Sequence, residues 1–75
     1  MSQLHKEDFS GKLIRCLRQL KGLKQKEAGK RMGISQQSYS KIELRENIEW
    51  PLICLILNVF NSNLEELLQI KDMLA

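Results

Sequence analysis

Three polar side chains within one short stretch of the chain could bind a partner through directed hydrogen bonds. Gln36 and Gln37 are adjacent residues with carboxamide side chains. Each side chain has a donor nitrogen and an acceptor oxygen next to each other. Lys41 follows Gln37 by four residues, so in a helix the two side chains lie on the same face. These residue types favour recognition of a polar or anionic partner rather than bond making.

The surrounding residues predict two short helices joined by a tight turn. Gln25 begins the first helix, whose small residues Ala28 and Gly29 would let a second helix approach closely. Gly33 can take the positive φ of a sharp turn without a Cβ penalty. Ser35 is a helix N-cap residue and begins the second helix.

The second of these helices has an inward and an outward side. Tyr39 and Ile42 are three residues apart and share the inward face, whereas Gln36 and Gln37 in the first turn point to solvent. This arrangement predicts a helix-turn-helix whose second helix is presented to the major groove of DNA.

The chain resembles the phage-repressor and Cro family of helix-turn-helix proteins, the Xre type, over about residues 14–68. The matching motif positions are Ile14, Leu17, Arg18, Leu23, Gln25, Gly33, Ile34, Ser35, Ser40, Ile42 and Glu43. The spacing from Gln25 to Gly33 to Glu43 fits the family without gaps. The resemblance implies an all-α, five-helix, lambda-repressor-like DNA-binding domain with the helix-turn-helix at its second and third helices.

The resemblance also assigns DNA-contacting roles. Gln36, Gln37 and Lys41 match the main base-contacting positions of phage repressors. Gln25 matches the position that clamps a phosphate at the start of the second helix, where backbone amides favour an anion. Lys24 stands where the family often has Ser or Thr. Because a lysine there opposes the helix dipole, we expect it to contact a phosphate.

Three more residues, Ser38, Arg45 and Asn47, are candidate phosphate contacts. Arg45 stands where the family commonly has a glycine ending the third helix, so the family does not fix the shape of this loop. A second departure is Gly29, which replaces the usual alanine. It costs roughly 1 kcal/mol of helix propensity but keeps the small volume needed at a helix crossing.

The resemblance further implies a structural ion pair between Arg18 of the first helix and Glu43 of the third. Losing one partner of a largely buried pair leaves the other charge unpaired, which costs more than a surface pair is worth. We therefore expect Arg18 to hold the scaffold together rather than to contact DNA.

Hydrophobic spacing and helix-end signals predict five helices. Their approximate bounds are 9–20, 25–32, 36–44, 49–60 and 64–74. The expected core stripes are Leu13, Ile14, Leu17 and Leu20 in the first helix, and Ile53, Ile56, Leu57 and Phe60 in the fourth. Residues 9–75 then form a single domain that follows a flexible N-terminal tail of residues 1–8.

The fourth helix carries more apolar surface than a small domain is expected to cover. Leu52, Leu55 and Val59 form a second stripe, and Met73 and Leu74 add apolar surface on the fifth helix. A helix with two apolar stripes lies inside a bundle or meets a partner. Because the family usually dimerises through its C-terminal helices, we expect these residues to form a homodimer interface. The alternative is that the fifth helix covers the second stripe within one chain.

The net charge of +3 on the 75 residues is unevenly distributed. Residues 1–48 hold eleven Lys and Arg against five Asp and Glu, a net of +6, whereas residues 49–75 hold one against four, a net of −3. This asymmetry suits a protein with one face toward phosphates and another toward protein. A merely solvated basic surface is the alternative.

Other classes of protein receive little support. Cys16 and Cys54 lack CxxC spacing and, with the single histidine His5, cannot assemble a metal site. We expect no metal, no cofactor and no small-molecule ligand, and the chain has no constellation of an enzyme. No apolar run reaches about 18 residues, and the N-terminus lacks a signal core, so we expect a cytoplasmic, nucleoid-associated protein rather than a membrane protein.

The leading hypothesis is a sequence-specific transcriptional regulator, a homodimer reading a near-palindromic operator in double-stranded DNA. Small proteins of this type include restriction–modification controllers, phage repressors and antitoxins, and the residues do not separate these roles. The alternative is a protein-interaction module on the same scaffold, with the C-terminal helices binding another protein such as a toxin.

Overall fold

The computed structural model describes residues 9–74, which form five α-helices. They are α1 (Gly11–Leu20), α2 (Gln25–Met32), α3 (Gln36–Glu43), α4 (Trp50–Val59) and α5 (Leu64–Leu74). The five predicted helices are present, with ends that agree to within two residues. The predicted tail of residues 1–8 and the last residue, Ala75, lie outside the described residues.

Local side-chain chemistry explains where the helices begin. Ser10, Ser35 and Asn63 each accept a hydrogen bond from the backbone N–H three residues later, at 3.4, 3.0 and 2.8 Å. Helix α4 begins instead with Pro51 in its first turn, where a missing N–H costs nothing.

Three of the helices end in the same left-handed turn. The residues at this position are Gly22, Gly33 and Asn61, with φ of 72°, 75° and 58°. After α2, the N–H of Ile34 donates to the carbonyl oxygen of Gly29 at 2.9 Å, as in a Schellman motif. This turn fixes the direction in which α3 leaves α2.

All five helices contribute to the core. Its largest fully buried side chains are Tyr39, Phe60, Ile14, Leu17, Ile53, Ile56 and Leu67. The predicted core stripes of α1 and α4 are buried except at Leu20, which is 62% exposed. Leu20 lies in the last turn of α1, where it lines an open groove with Met73 and Leu74 instead of meeting the core. The expectation for Leu20 is therefore wrong.

Gly11 has no room for a side chain. A Cβ atom on Gly11 would lie 2.3 Å from the carbonyl oxygen of Glu43. The N–H of Gly11 donates to the carbonyl oxygen of Arg45 at 2.8 Å, and the N–H of Ile48 donates to that of Phe9 at 2.9 Å. The start of α1 is thereby joined to the end of α3 and to the loop that follows it.

Gly29 is also closely approached by backbone. A Cβ atom there would lie 3.0 Å from the carbonyl oxygens of Ile34 and Ser35. The close approach expected at this position therefore involves the turn and the N-cap of α3 rather than the middle of a crossing helix.

Candidate nucleic-acid interface

Helix α3 has one buried side and one side open to solvent. Tyr39 is fully buried and packs against Phe60, with ring centroids 6.3 Å apart. Gln36, Gln37 and Lys41, the residues predicted to contact bases, are exposed. No described residue forms a side-chain hydrogen bond with either glutamine, so both amides are available to an external partner.

The start of α2 places two predicted phosphate contacts next to each other. Lys24 is the N-cap residue and is exposed, and its side chain forms no capping hydrogen bond because an ammonium group cannot accept one. The carboxylate of Glu27 instead accepts a hydrogen bond from the backbone N–H of Lys24 at 3.0 Å. Gln25 is half-buried, and its amide points to Glu43.

Ser38 belongs to the cap of α3. Its hydroxyl accepts a hydrogen bond from the hydroxyl of Ser35 at 3.1 Å, and its backbone N–H donates to the same Ser35 oxygen. Ser38 is exposed, and its own hydroxyl hydrogen is not used in these two bonds. It can therefore donate to an acceptor outside the protein.

The loop after α3 is exposed but anchored at its backbone. Arg45 forms an ion pair with Glu49 at 2.9 Å, and both side chains are largely exposed. Such surface pairs contribute little stability, so Arg45 can exchange Glu49 for a phosphate at small cost. Asn47 is exposed in the same loop. Leu44 is 80% exposed, and no pattern in the sequence indicated an apolar side chain at this edge.

Beneath α3 lies a polar cluster, formed by Arg18, Gln25, Tyr39 and Glu43. The Nε of Arg18 donates to Oε2 of Glu43 at 2.6 Å, and its Nη2 donates to Oε1 at 3.3 Å. The Tyr39 hydroxyl also donates to Oε2, and Nε2 of Gln25 donates to Oε1 at 2.9 Å. Nη1 of Arg18 donates to the carbonyl oxygen of Leu23 at 2.9 Å. The cluster ties α1, α2 and α3 together.

The hydrogen bonds of this cluster determine which of its side chains are charged. Burial raises the pKa of Glu43, but the hydrogen bonds from Arg18, Tyr39 and Gln25 outweigh that effect and hold its pKa below the ordinary value. Burial and the hydrogen bond to Glu43 raise the pKa of Tyr39, which therefore remains a neutral donor. The hydrogen bond to Glu43 raises the pKa of Arg18. The cluster thus contains one anion held by one cation and two neutral donors.

Two members of the cluster were not expected to take part in it. The sequence indicated Tyr39 only as a core residue and Gln25 only as a phosphate contact. A usable signal was present for Tyr39, because it precedes Glu43 by four residues and so lies one helical turn away. The contact of Gln25 with Glu43 joins two helices and leaves no mark in local spacing.

The residues predicted to form a dimer interface fall into two groups. Leu52 and Val59 are partly buried and pack against the core, whereas Leu55, Met73 and Leu74 are exposed. Two further leucines of α5, Leu64 and Leu68, are also exposed and share one face. The predicted interface did not include these two leucines.

Within residues 9–74, no group of three or more His, Cys, Asp or Glu side chains could hold a metal ion. The described helices also include none that is long and apolar enough to cross a membrane.

Five helices, with a turn of fixed geometry between α2 and α3, define an all-α helix-turn-helix domain of the lambda-repressor type. Residues 14–67 match the model of the helix-turn-helix family. The chain therefore belongs to this family, in its Xre or lambda-repressor branch, and is a DNA-binding helix-turn-helix regulator. Proteins of this family are typically not enzymes. No curated protein and no solved structure was found to match the chain.

Proposed function

We propose that the chain acts as a homodimer that reads a near-palindromic operator by inserting α3 of each protomer into the major groove. The observation that carries this proposal is the polar, exposed side of α3, whose opposite side is anchored by Tyr39 and the polar cluster. A rigid helix with unused amides on its open side has the properties that base recognition requires.

Gln36, Gln37 and Lys41 make the base contacts in this proposal. A glutamine amide can pair bidentately with the N6 and N7 atoms of adenine, and a lysine can donate to the O6 or N7 atom of guanine. Gln37 and Lys41 are one helical turn apart, so they contact neighbouring base pairs. Each bidentate pair is worth about 1–3 kcal/mol of discrimination against a wrong base.

The phosphate contacts come from Lys24, Gln25, Ser38, Arg45 and Asn47. Lys24 and Gln25 lie at the N-terminus of α2, where the helix dipole and free N–H groups favour an anion. Ser38 adds a neutral hydroxyl donor in the first turn of α3, and Arg45 adds a cation in the loop after it. The net charge of +6 in residues 1–48 supports this assignment.

Exposed apolar side chains of α4 and α5 support dimerisation. Leu55, Leu64, Leu68, Met73 and Leu74 are all exposed in the single chain, and covering such side chains is favourable. A twofold dimer would set the two α3 helices about one DNA turn apart, roughly 34 Å. A regulator with this architecture acts on the nucleoid, in the cytoplasm.

Selection of bound duplexes from a random pool tests the proposal directly. We expect enrichment of two inverted half-sites whose centres are about 10 base pairs apart. Selection repeated with Gln36→Ala and Gln37→Ala should relax the preference at one position of each half-site. Failure of the wild-type protein to enrich any sequence would overturn the proposed base recognition.

Sedimentation at micromolar concentration tests the dimer. Leu68→Lys should shift the population toward monomer, because it places a charge on an apolar contact face. Gln69→Lys adds the same charge at the adjacent exposed position of α5 and is the matched control. A wild-type protein that remains monomeric at high micromolar concentration would refute dimerisation.

The exposed apolar side chains also favour a second candidate function, a protein-interaction module that binds a different protein such as a toxin. Salt and specificity separate the two candidates. An operator-binding protein loses affinity steeply as salt rises and prefers its site over random DNA by roughly 10³-fold or more. Weak binding without sequence preference would favour the interaction module.

A further inference from the structure

Gln25 connects the proposed DNA-facing surface with the polar cluster. Its backbone lies in the first turn of α2, among the proposed phosphate contacts, and its side chain reaches Glu43 of α3. Nε2 of Gln25 lies 2.9 Å from Oε1 of Glu43. The rest of this carboxylate is occupied by donors from Arg18 and Tyr39.

We propose that Glu43 is a positioning residue for DNA binding, because it fixes the orientation of the Gln25 amide. A carboxylate only accepts hydrogen bonds, so the amide must turn its nitrogen, not its oxygen, toward Glu43. The Gln25 nitrogen carries two hydrogens, and the contact with Glu43 uses one of them. The second hydrogen remains for a phosphate oxygen at the start of α2.

The chemistry of a phosphate makes this orientation important. A freely rotating glutamine presents its carbonyl oxygen as readily as its nitrogen, and two acceptor oxygens repel each other. Fixing the amide before DNA arrives removes this unproductive orientation and the entropy cost of ordering the side chain. Arg18 and Tyr39 contribute indirectly, because they hold the Glu43 carboxylate in place.

This inference rests on the proposed operator binding, and a double-mutant cycle on the selected operator duplex tests it. Gln25→Ala should weaken binding about tenfold for each half-site, the usual effect of losing one hydrogen bond to a charged group. Glu43→Gln should weaken binding by a similar factor at a temperature where circular dichroism shows it folded. The double variant should bind about as tightly as whichever single variant binds more weakly. The reason is that each single substitution already removes the same phosphate contact.

Gln37→Ala provides the matched control for this cycle. Its amide is exposed and does not contact Glu43, so its effect should multiply with that of Glu43→Gln. If the effects of Gln25→Ala and Glu43→Gln on binding also multiply, Glu43 does not act through Gln25 and the inference is wrong.

A second measurement needs neither a destabilising variant nor DNA. In the free wild-type protein, ¹⁵N relaxation of the Gln25 side-chain amide should show order close to that of the backbone. The amides of Gln36 and Gln37 should be mobile on the ps–ns timescale. A mobile Gln25 amide would overturn the positioning role even if Glu43→Gln does not fold. Absence of operator binding by wild type would instead refute the proposed function, and the relaxation measurement would still decide whether the Gln25 amide is held in one orientation.

Discussion

The two sides of α3 carry similar polar chemistry but differ in what satisfies it. On the outer side, the amides of Gln36 and Gln37 have no protein partner among the described residues. On the inner side, every oxygen of the Glu43 carboxylate accepts two hydrogen bonds from residues of the same chain. One short helix thus separates recognition from stability, so substitutions on its two sides should have different consequences.

The largest effect is a loss of stability when the inner side of α3 is altered. Glu43→Ala leaves the buried guanidinium of Arg18 without its anion, which should destabilise the domain by about 3–5 kcal/mol. The melting temperature, followed by circular dichroism, should fall sharply, while Gln37→Ala should leave it nearly unchanged. Equal melting temperatures for the two variants would remove the distinction between the two sides.

The next largest effect is a loss of operator affinity when the outer side of α3 is altered. Gln37→Ala should weaken operator binding by about 1–3 kcal/mol for each half-site and relax the preference for one base pair in each. Gln19→Ala, an exposed glutamine of α1 outside the proposed interface, is the control and should leave affinity unchanged. A titration in which both variants bind like wild type would show that the outer side of α3 does not read bases.

Acid should lower the free energy of unfolding by protonating Glu43 on the inner side of α3. The folded-state pKa of Glu43 is lowered from 4.5, so its contribution to stability is fully present above about pH 4.5 and is lost as pH falls through the lower folded value. Urea unfolding between pH 3 and pH 6 should show this loss in wild type. In Glu43→Gln this component should be missing, and an identical pH dependence in both proteins would contradict the assignment.

The smallest effect concerns the phosphate contacts beside α3. Lys24→Ala should reduce the slope of log affinity against log salt concentration by about one unit for each protomer that contacts the duplex, while leaving the preferred sequence unchanged. Lys30→Ala removes an exposed lysine of α2 away from its N-terminus and should change the slope less. Equal slopes for wild type and Lys24→Ala would mean that Lys24 is only solvated.

The helices were predictable because their ends depend on neighbouring residues. Ser35 and Gly33, for example, begin and end helices through contacts made within about five residues. The tertiary contacts were harder to predict. The steric constraint at Gly11 depends on the backbone of Glu43, which is remote in sequence. Helical spacing alone placed Leu20 in the core, although none of the described helices covers it.

Only part of the candidate site could be predicted from the sequence. The exposed positions of Gln36, Gln37 and Lys41 follow from the helical period, whereas their contacts with bases depend on a duplex and remain predictions. The polar cluster was anticipated only as the pair Arg18 and Glu43. Its extension to Gln25 depends on how α2 and α3 cross, which a one-dimensional pattern does not contain.

The backbone bonds that join Phe9 to Ile48 and Gly11 to Arg45 have a practical consequence for anyone purifying this protein. They hold residues 9–11 beside the loop that carries Arg45 and Asn47. An affinity tag or fluorescent fusion attached upstream would therefore be tethered at the edge of the proposed operator contact. Because the other end of the described fold carries Met73 and Leu74 of the proposed dimer surface, labels at either end should be cleaved before DNA is added.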